Sequence, residues 1–295
     1  MSPGNGFGPD GAGPGDGARE GGLRLGGMAL RNGLLIHGPS SWAIAARGPD
    51  GRIEVASGPK LALARGRVGR IPLLRGPLRL AEALTVVPIA RARLGSARLP
   101  FEDRAVIGAT VASALTSAAL RRVARREGSA SEAAVREGLV SLLGALPALA
   151  ALRDADLAAY HGVEHKAIGG YETGQDPALV PKEHDRCGSN LVAPLILLSV
   201  AGQAALERLA PKRGPLARGL VTVAGVGIAV ELFAYAERRP ESALGRAVHR
   251  PGHEIQRLVS TREPTAEQLE VGAAALDEIL RVERSAPPPA GTARI

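Results

Sequence analysis

From about residue 105 onward the chain alternates long apolar runs with short charged segments. Ala105 to Leu120, Gly138 to Leu152 and Cys187 to Leu206 carry no ionised side chain, and Gly219 to Ala236 carries only Glu231. A membrane-crossing helix needs roughly 20 residues, within a range of about 17 to 25. The third run meets that length, although it contains Pro194. The first two are short and rich in alanine, so each also suits a buried helix of a soluble protein. Ahead of these runs the period changes. Gly33–His37, Ser41–Arg47 and Arg52–Ser57 are short apolar or alternating stretches, the last two joined by the turn sequence Gly48-Pro49-Asp50-Gly51, and they predict a small β element. Leu73, Leu74, Leu78, Ala81, Leu84 and Val87 then recur at helical spacing among Arg70, Arg75 and Arg79. Such a basic amphipathic segment fits a membrane surface and the edge of a soluble core equally well. Near the C-terminus Thr265-Ala266-Glu267-Gln268 is a capping box, and Leu269, Ala273, Leu276, Ile279 and Leu280 line one face of the helix it begins.

These patterns divide the chain into a disordered tail (1–22), a small β element (23–69), the basic amphipathic segment (70–104), a first apolar helix pair (105–152), a His-rich loop (153–186), a second apolar helix pair (187–236), a soluble C-terminal helical segment (237–282) and a polar tail (283–295). The expected fold is mostly α: a polytopic helical membrane protein with about four apolar helices, a small N-terminal β element and a C-terminal amphipathic helix. With the N-terminus inside, four spans would leave twelve Lys and Arg residues on the cytoplasmic side against nine outside. That bias leans the His-rich loop toward the cytoplasm of a multi-pass cell-membrane protein.

Composition narrows the partners. Aromatic residues make up only 2% of the chain, which speaks against a base-stacking surface for nucleic acid. The net charge of +8 suits anionic lipid headgroups as well as nucleic acid, so it gives the sign of the partner and not its identity; with the apolar runs, the lipid bilayer and its headgroups are the partners expected, and nucleic acid is not. A single cysteine, Cys187, excludes an intrachain disulfide and leaves a thiol that is inert, reactive or a metal ligand.

The chemistry concentrates in Tyr160-His161-Gly162-Val163-Glu164-His165-Lys166. On a helix, imidazoles four residues apart share one face and suit one divalent ion. The run reads H-x-x-E-H, in which Glu164 is placed as general base to a water on the metal. His184 and Cys187 follow after a loop, giving the spacing H-x3-H-x18-H-x2-C. Three readings stay open at this point. In an open catalytic site His161 and His165 bind with one further ligand, His184 foremost and otherwise Cys187, Glu172 or Glu231. In a closed structural site all four His/Cys residues bind and Glu164 orients an imidazole. In the third, these are surface histidines without metal. Glu231, well inside an apolar run, implies a paired or functional carboxylate, with Lys166 and Arg186 as candidate partners or as anchors for an anionic substrate. His37, at a strand end, reads as structural, and His249 and His253 carry no assigned role.

Beyond these readings the chain resembles the YqhQ-like bacterial proteins, a domain of unknown function (1385) described as predicted metal-dependent enzymes. The resemblance runs over about Leu25 to Leu280. It rests on Gly26-Gly27-Met28-Ala29 with Arg31-Asn32-Gly33, on Trp42-Ala43-Ile44-Ala45, on Leu74-Arg75-Gly76 with Glu82, on the His161 to Lys166 run, on Arg186-Cys187-Gly188-Ser189, and on the Thr261-Arg262-Glu263-Pro264 ending. It implies a polytopic membrane protein with one divalent metal, zinc foremost, and names no substrate. Two departures stand out: His184 is followed by Asp185 where the family often has Pro, and Asn32 precedes Gly33 where it often has Glu. The expectation is a metal-dependent hydrolase, with a membrane scaffold or assembly factor holding a structural His/His/His/Cys metal as the alternative.

Overall fold

The computed structural model describes residues 22–61, 63, 71–123, 130–210 and 214–285. The tails expected over 1–22 and 283–295 fall outside these residues except at their inner ends, as do Arg70 and, from the charge comparison, Arg125, Arg126, Lys212 and Arg213. Four strands, β1 (Gly26–Leu30), β2 (Gly33–His37), β3 (Ser41–Arg47) and β4 (Ile53–Pro59), form an antiparallel meander in sequence order. The described helices are α1 (Arg75–Arg93), α2 (Arg104–Val123), α3 (Ala130–Ala151), α4 (Ala155–Thr173), α5 (Val192–Leu209), α6 (Pro215–Arg238), α7 (Ala243–Ile255) and α8 (Ala266–Ser285).

Strands β2 and β3 are buried on both faces, which is why they read as unbroken apolar runs. Successive side chains alternate across the sheet. Leu34, Ile36, Ala43 and Ala45 therefore meet Leu157, Tyr160 and Val163 of α4 and Val271, Ala275 and Ile279 of α8. On the opposite face Leu35, Trp42, Ile44 and Ala46 meet Val86, Val87 and Ala90 of α1. The capping box forms as expected, with Thr265 N–H donating to Gln268 Oε1 at 3.0 Å and Gln268 N–H to Thr265 Oγ1 at 3.3 Å. The buried stripe of α8 runs through Val271, Ala275 and Ile279, and Leu269, Leu276 and Leu280 of the expected face pack against the same core, while Ala273 of that face is exposed. Strand β1 was not among the expected strands, because Gly26-Gly27 interrupts its apolar pattern.

Helices α2, α3, α5 and α6 lie side by side in that order, each running against the next, and carry all four apolar runs. Among the described residues two segments, Gly188–Leu209 and Leu216–Arg238, are long and apolar enough to cross a membrane, and only 17% of each apolar window is buried inside the protein. Val135–Ala151 with Ala155–Thr173 passes the same test only as a pair bent by 94°. Among the described residues, length and composition thus support two crossings, or up to three, rather than about four.

Ion pairs mark both ends of this helical layer. At one end Arg31, after β1, bridges Asp103 before α2 and Asp154 before α4 at 3.0 and 2.5 Å. At the other, Arg121 pairs with Glu137, Arg136 with Glu207, and Arg218 with Glu207. The sheet, α4 and α8 therefore form a body attached to one end of the layer. The sharp bend between α3 and α4 carries the chain from layer to body.

Candidate metal centre

The segment expected as a His-rich loop begins as the central helix of the body. Asp154 caps α4, accepting from Asp156 N–H at 3.0 Å and Leu157 N–H at 3.3 Å, and Gly174, at φ +72°, ends it in the left-handed conformation. From Leu157 to Gly170 only His161 is less than buried. A helix enclosed on all sides shows no amphipathic period, and its polar residues are there for what they face. Glycines admit the close neighbours. A Cβ on Gly162 would strike the Arg262 carbonyl, and one on Gly272 of α8 would strike Val163.

Leu157, His161, Glu164, His165 and Ile168, one face of α4, line a cavity of about 440 Å³. Met28 and Ala29 of β1, Leu152 at the end of α3, and His184, Arg186, Cys187, Gly188 and Ser189 before α5 form the other walls. The cavity thus sits where the body meets the ends of α3 and α5.

The imidazoles are oriented by backbone carbonyls. His161 Nδ1 lies 2.8 Å from the Ser260 carbonyl oxygen and His165 Nδ1 lies 2.6 Å from that of Lys182. A carbonyl only accepts, so each Nδ1 carries the proton and each Nε2 presents a lone pair. His165 Nε2 is buried with no hydrogen-bond partner. His161 Nε2 faces Cys187 Sγ at 3.4 Å, and the ligand atoms of His161, His165 and Cys187 all lie within 4.8 Å of one another. Two imidazole lone pairs and a thiol are a zinc donor set, and a buried acceptor without a donor is what a cation would satisfy. The residues present fit a divalent ion.

Electrostatics follow from enclosure. Burial pushes the His165 imidazolium down to about 2, so His165 is neutral and free to ligate. Burial and the neighbouring Glu164 carboxylate push the Cys187 thiol up to about 11, so without an ion it is protonated and donates to His161 Nε2. A bound cation reverses that balance. Burial also raises Glu164 above the usual carboxylate range, against the pull of His161 and His184. Gly27 makes room for this carboxylate, since a Cβ there would lie 2.8 Å from Glu164 Cγ.

The remaining expected residues are placed as follows. His184 stacks beside His165, ring centroids 5.6 Å apart, with its Nε2 turned to Glu172 at 3.2 Å. Arg186 lines the cavity and pairs with Glu172, reaching Glu237 at 3.9 Å. Lys166 is outside the cavity wall, donating to Val180 O at 2.7 Å and pairing with Glu263 at 2.6 Å. Glu231 also lies outside it: its partner is Arg75 of α1, in place of the expected Lys166 or Arg186.

Several supporting groups carry no sequence signal. The carbonyls of Ser260 and Lys182 belong to positions whose side chains are immaterial to the contact. Gln256, fully buried, accepts from His184 N–H at 2.7 Å and donates to Ser189 Oγ at 2.9 Å, fixing the segment that carries Cys187. Gly26-Gly27, by contrast, is the kind of pair that marks a close backbone approach within a strand. His37, read as structural, also lines the cavity.

No curated protein and no solved structure matches the chain. A family model does match over residues 71–282, a span that holds α4, the Cys187 segment and most of α8. The chain belongs to the family described as protein of unknown function (DUF1385).

Proposed function

We propose that this protein is a multi-pass membrane protein with a metal-dependent hydrolase centre at the junction of its helical layer and its body. The observation that carries the reading is the convergence of His161 Nε2, the unpartnered His165 Nε2 and Cys187 Sγ on one cavity that Glu164 also lines. Zinc fits this donor set best; His161, His165 and Cys187 would hold it, and with three protein ligands it would remain open to water or substrate. When bound, the ion supplies Lewis acidity to that water and to the bond under attack. Glu164, on the same helix face and held above the usual carboxylate range by burial, takes the proton from the water and returns it to the leaving group. The Ser260 and Lys182 carbonyls keep both imidazoles in the ligating tautomer.

The exposed apolar side chains of α2 and α3, among them Ile107, Val111, Leu115, Leu139, Leu142 and Leu146, support a bilayer around all four layered helices. The excess of basic residues at the body end supports a cytoplasmic orientation for the metal centre.

A closed structural site is the second reading, favoured by the position of His184 beside His165. It requires His184 to leave Glu172 and become a fourth ligand. Purified protein loaded with zinc and offered ester, phosphoester and peptide amphiphiles separates the two. The hydrolase reading expects turnover that Glu164→Gln abolishes without loss of zinc. Full zinc content with no turnover, together with zinc loss in His184→Ala, supports the closed site.

A further inference from the structure

Helix α7 presents three stripes along its length. Gly245, Val248 and Gly252 are buried against the protein, and a Cβ on Gly252 would strike Asn190 in the turn before α5. Leu244, Ala247 and Pro251 are exposed and lie within about 60° of one another at 100° per residue, and Leu258, in the π-helical turn Gln256–Ser260 that follows, is exposed too. Leu258 is 66% exposed. Arg246 and Arg250 fall on the third stripe, away from the buried one, and Arg257, in the π turn, is exposed and pairs with Glu254 at 2.8 Å. From Arg238 to Arg257 the chain holds five arginines and two glutamates.

This helix starts five residues beyond α6, at the body end of the layer. A helix with an outward apolar stripe flanked by arginines, joined to the end of a crossing helix, matches a bilayer surface: apolar side chains at the acyl boundary, guanidinium groups at the phosphates. We propose that α7 and its π turn lie in the membrane interface and bind anionic lipid headgroups. The inference rests on the membrane reading above and adds the partner and the depth.

The consequence reaches the metal centre, because the same turn supplies the Ser260 carbonyl to His161 and the Gln256 side chain to the segment of Cys187. A bilayer that holds α7 therefore holds the cavity at headgroup level, where a substrate borne by a lipid or by a membrane-anchored chain is presented.

The test is fluorescence quenching of the full chain reconstituted in vesicles of phosphatidylcholine, with or without phosphatidylglycerol. Leu258→Trp reports α7 and Leu197→Trp reports α5, each measured as the difference from the native protein, whose single Trp42 is buried in the body. The expected result is quenching of Leu258→Trp by lipid brominated near the headgroup and protection from acrylamide, both stronger with phosphatidylglycerol. Each arginine near an anionic surface shifts the surface-bound ratio about fivefold, so Arg246→Gln/Arg250→Gln/Arg257→Gln in the same background removes the difference between lipid compositions. If Leu197→Trp is quenched by brominated lipid while Leu258→Trp is quenched only by acrylamide, α7 does not touch the bilayer and the inference fails alone. If neither is quenched by lipid, the membrane reading fails and takes the inference with it. Quenching of Leu258→Trp that ignores phosphatidylglycerol overturns the anionic-headgroup assignment.

Discussion

Replacing Gln256 with Ala tests whether the metal centre depends on a side chain far from it in sequence. Gln256 is fully buried and makes three hydrogen bonds to the segment that carries His184 and Cys187: from His184 N–H at 2.7 Å, to His184 O at 3.2 Å and to Ser189 Oγ at 2.9 Å. At a net worth of about 0.5–1.5 kcal/mol each, their loss costs roughly 2–4 kcal/mol, and two of the groups left behind are backbone atoms with no obvious replacement. For a folding unit of about 150–250 residues each kcal/mol lowers the melting temperature by about 2–4 °C, so a fall of roughly 4–16 °C is expected. Trp42, 1% exposed in the sheet, reports unfolding of the body through its intrinsic fluorescence. Zinc affinity, measured by competition with a chelator, should weaken about 10- to 100-fold, as for other groups that orient metal ligands. A variant with native melting temperature and native zinc affinity would show that the 184–189 segment is held by other contacts and that its register on α7 does not set the site.

Three further outcomes follow. Glu164→Gln should keep zinc and the fold while abolishing turnover, whereas Cys187→Ser should lower zinc affinity at least tenfold; equal zinc affinity for Cys187→Ser and wild type, by the same competition, removes the thiol from the ligand set. Burial works to raise the Asp154 carboxyl, but Arg31 and the N–H groups of Leu157 and Asp156 outweigh it and hold it below the usual range. Asp154→Asn keeps the helix cap and loses an ion pair whose arginine is 35% exposed, costing about 0.5–1 kcal/mol, while Asp154→Ala loses the cap as well, about 1 kcal/mol more. Because the folded carboxyl is depressed, the wild-type advantage over Asp154→Asn is present above about pH 4 and fades as pH falls through the folded value; an advantage that grows on acidification, in melting curves against pH, contradicts the pairing. Gly27→Ala should cost about 1–3 kcal/mol and slow turnover with zinc retained, since its Cβ meets Leu35 O and Glu164 Cγ at 2.8 Å; unchanged melting and turnover would show that β1 yields freely.

The parts of the fold with a strong period were legible. The four apolar runs are the four layered helices, the hairpin of β3 and β4 turns at Gly48 to Gly51, and Thr265 with Gln268 caps α8. The pairing of His161, Glu164 and His165 on one helix face followed from spacing alone, and the cavity wall on α4 has that spacing. Helix α4 itself was obscured because polarity marks solvent exposure in most helices, whereas here Glu164, His165 and Lys166 are polar and buried together. Its end signals, Asp154 and Gly174, were in the sequence and would have bounded it. The supports of the site were hidden for another reason: Ser260 and Lys182 act through carbonyls, and Gln256 acts across a sequence distance that only the packing of α7 closes. The choice between His184 and Cys187 also lay beyond spacing, since it depends on Glu172 turning one imidazole aside.

The central claim is that His161, His165 and Cys187 hold one divalent ion. Its most direct test is elemental analysis of detergent-purified protein, prepared without chelator and with zinc supplied, beside a His161→Ala/His165→Ala double variant that melts cooperatively. The account predicts near-stoichiometric zinc in the wild type and its loss in the double variant. Equal metal content in both, or none in the wild type after zinc loading, contradicts it.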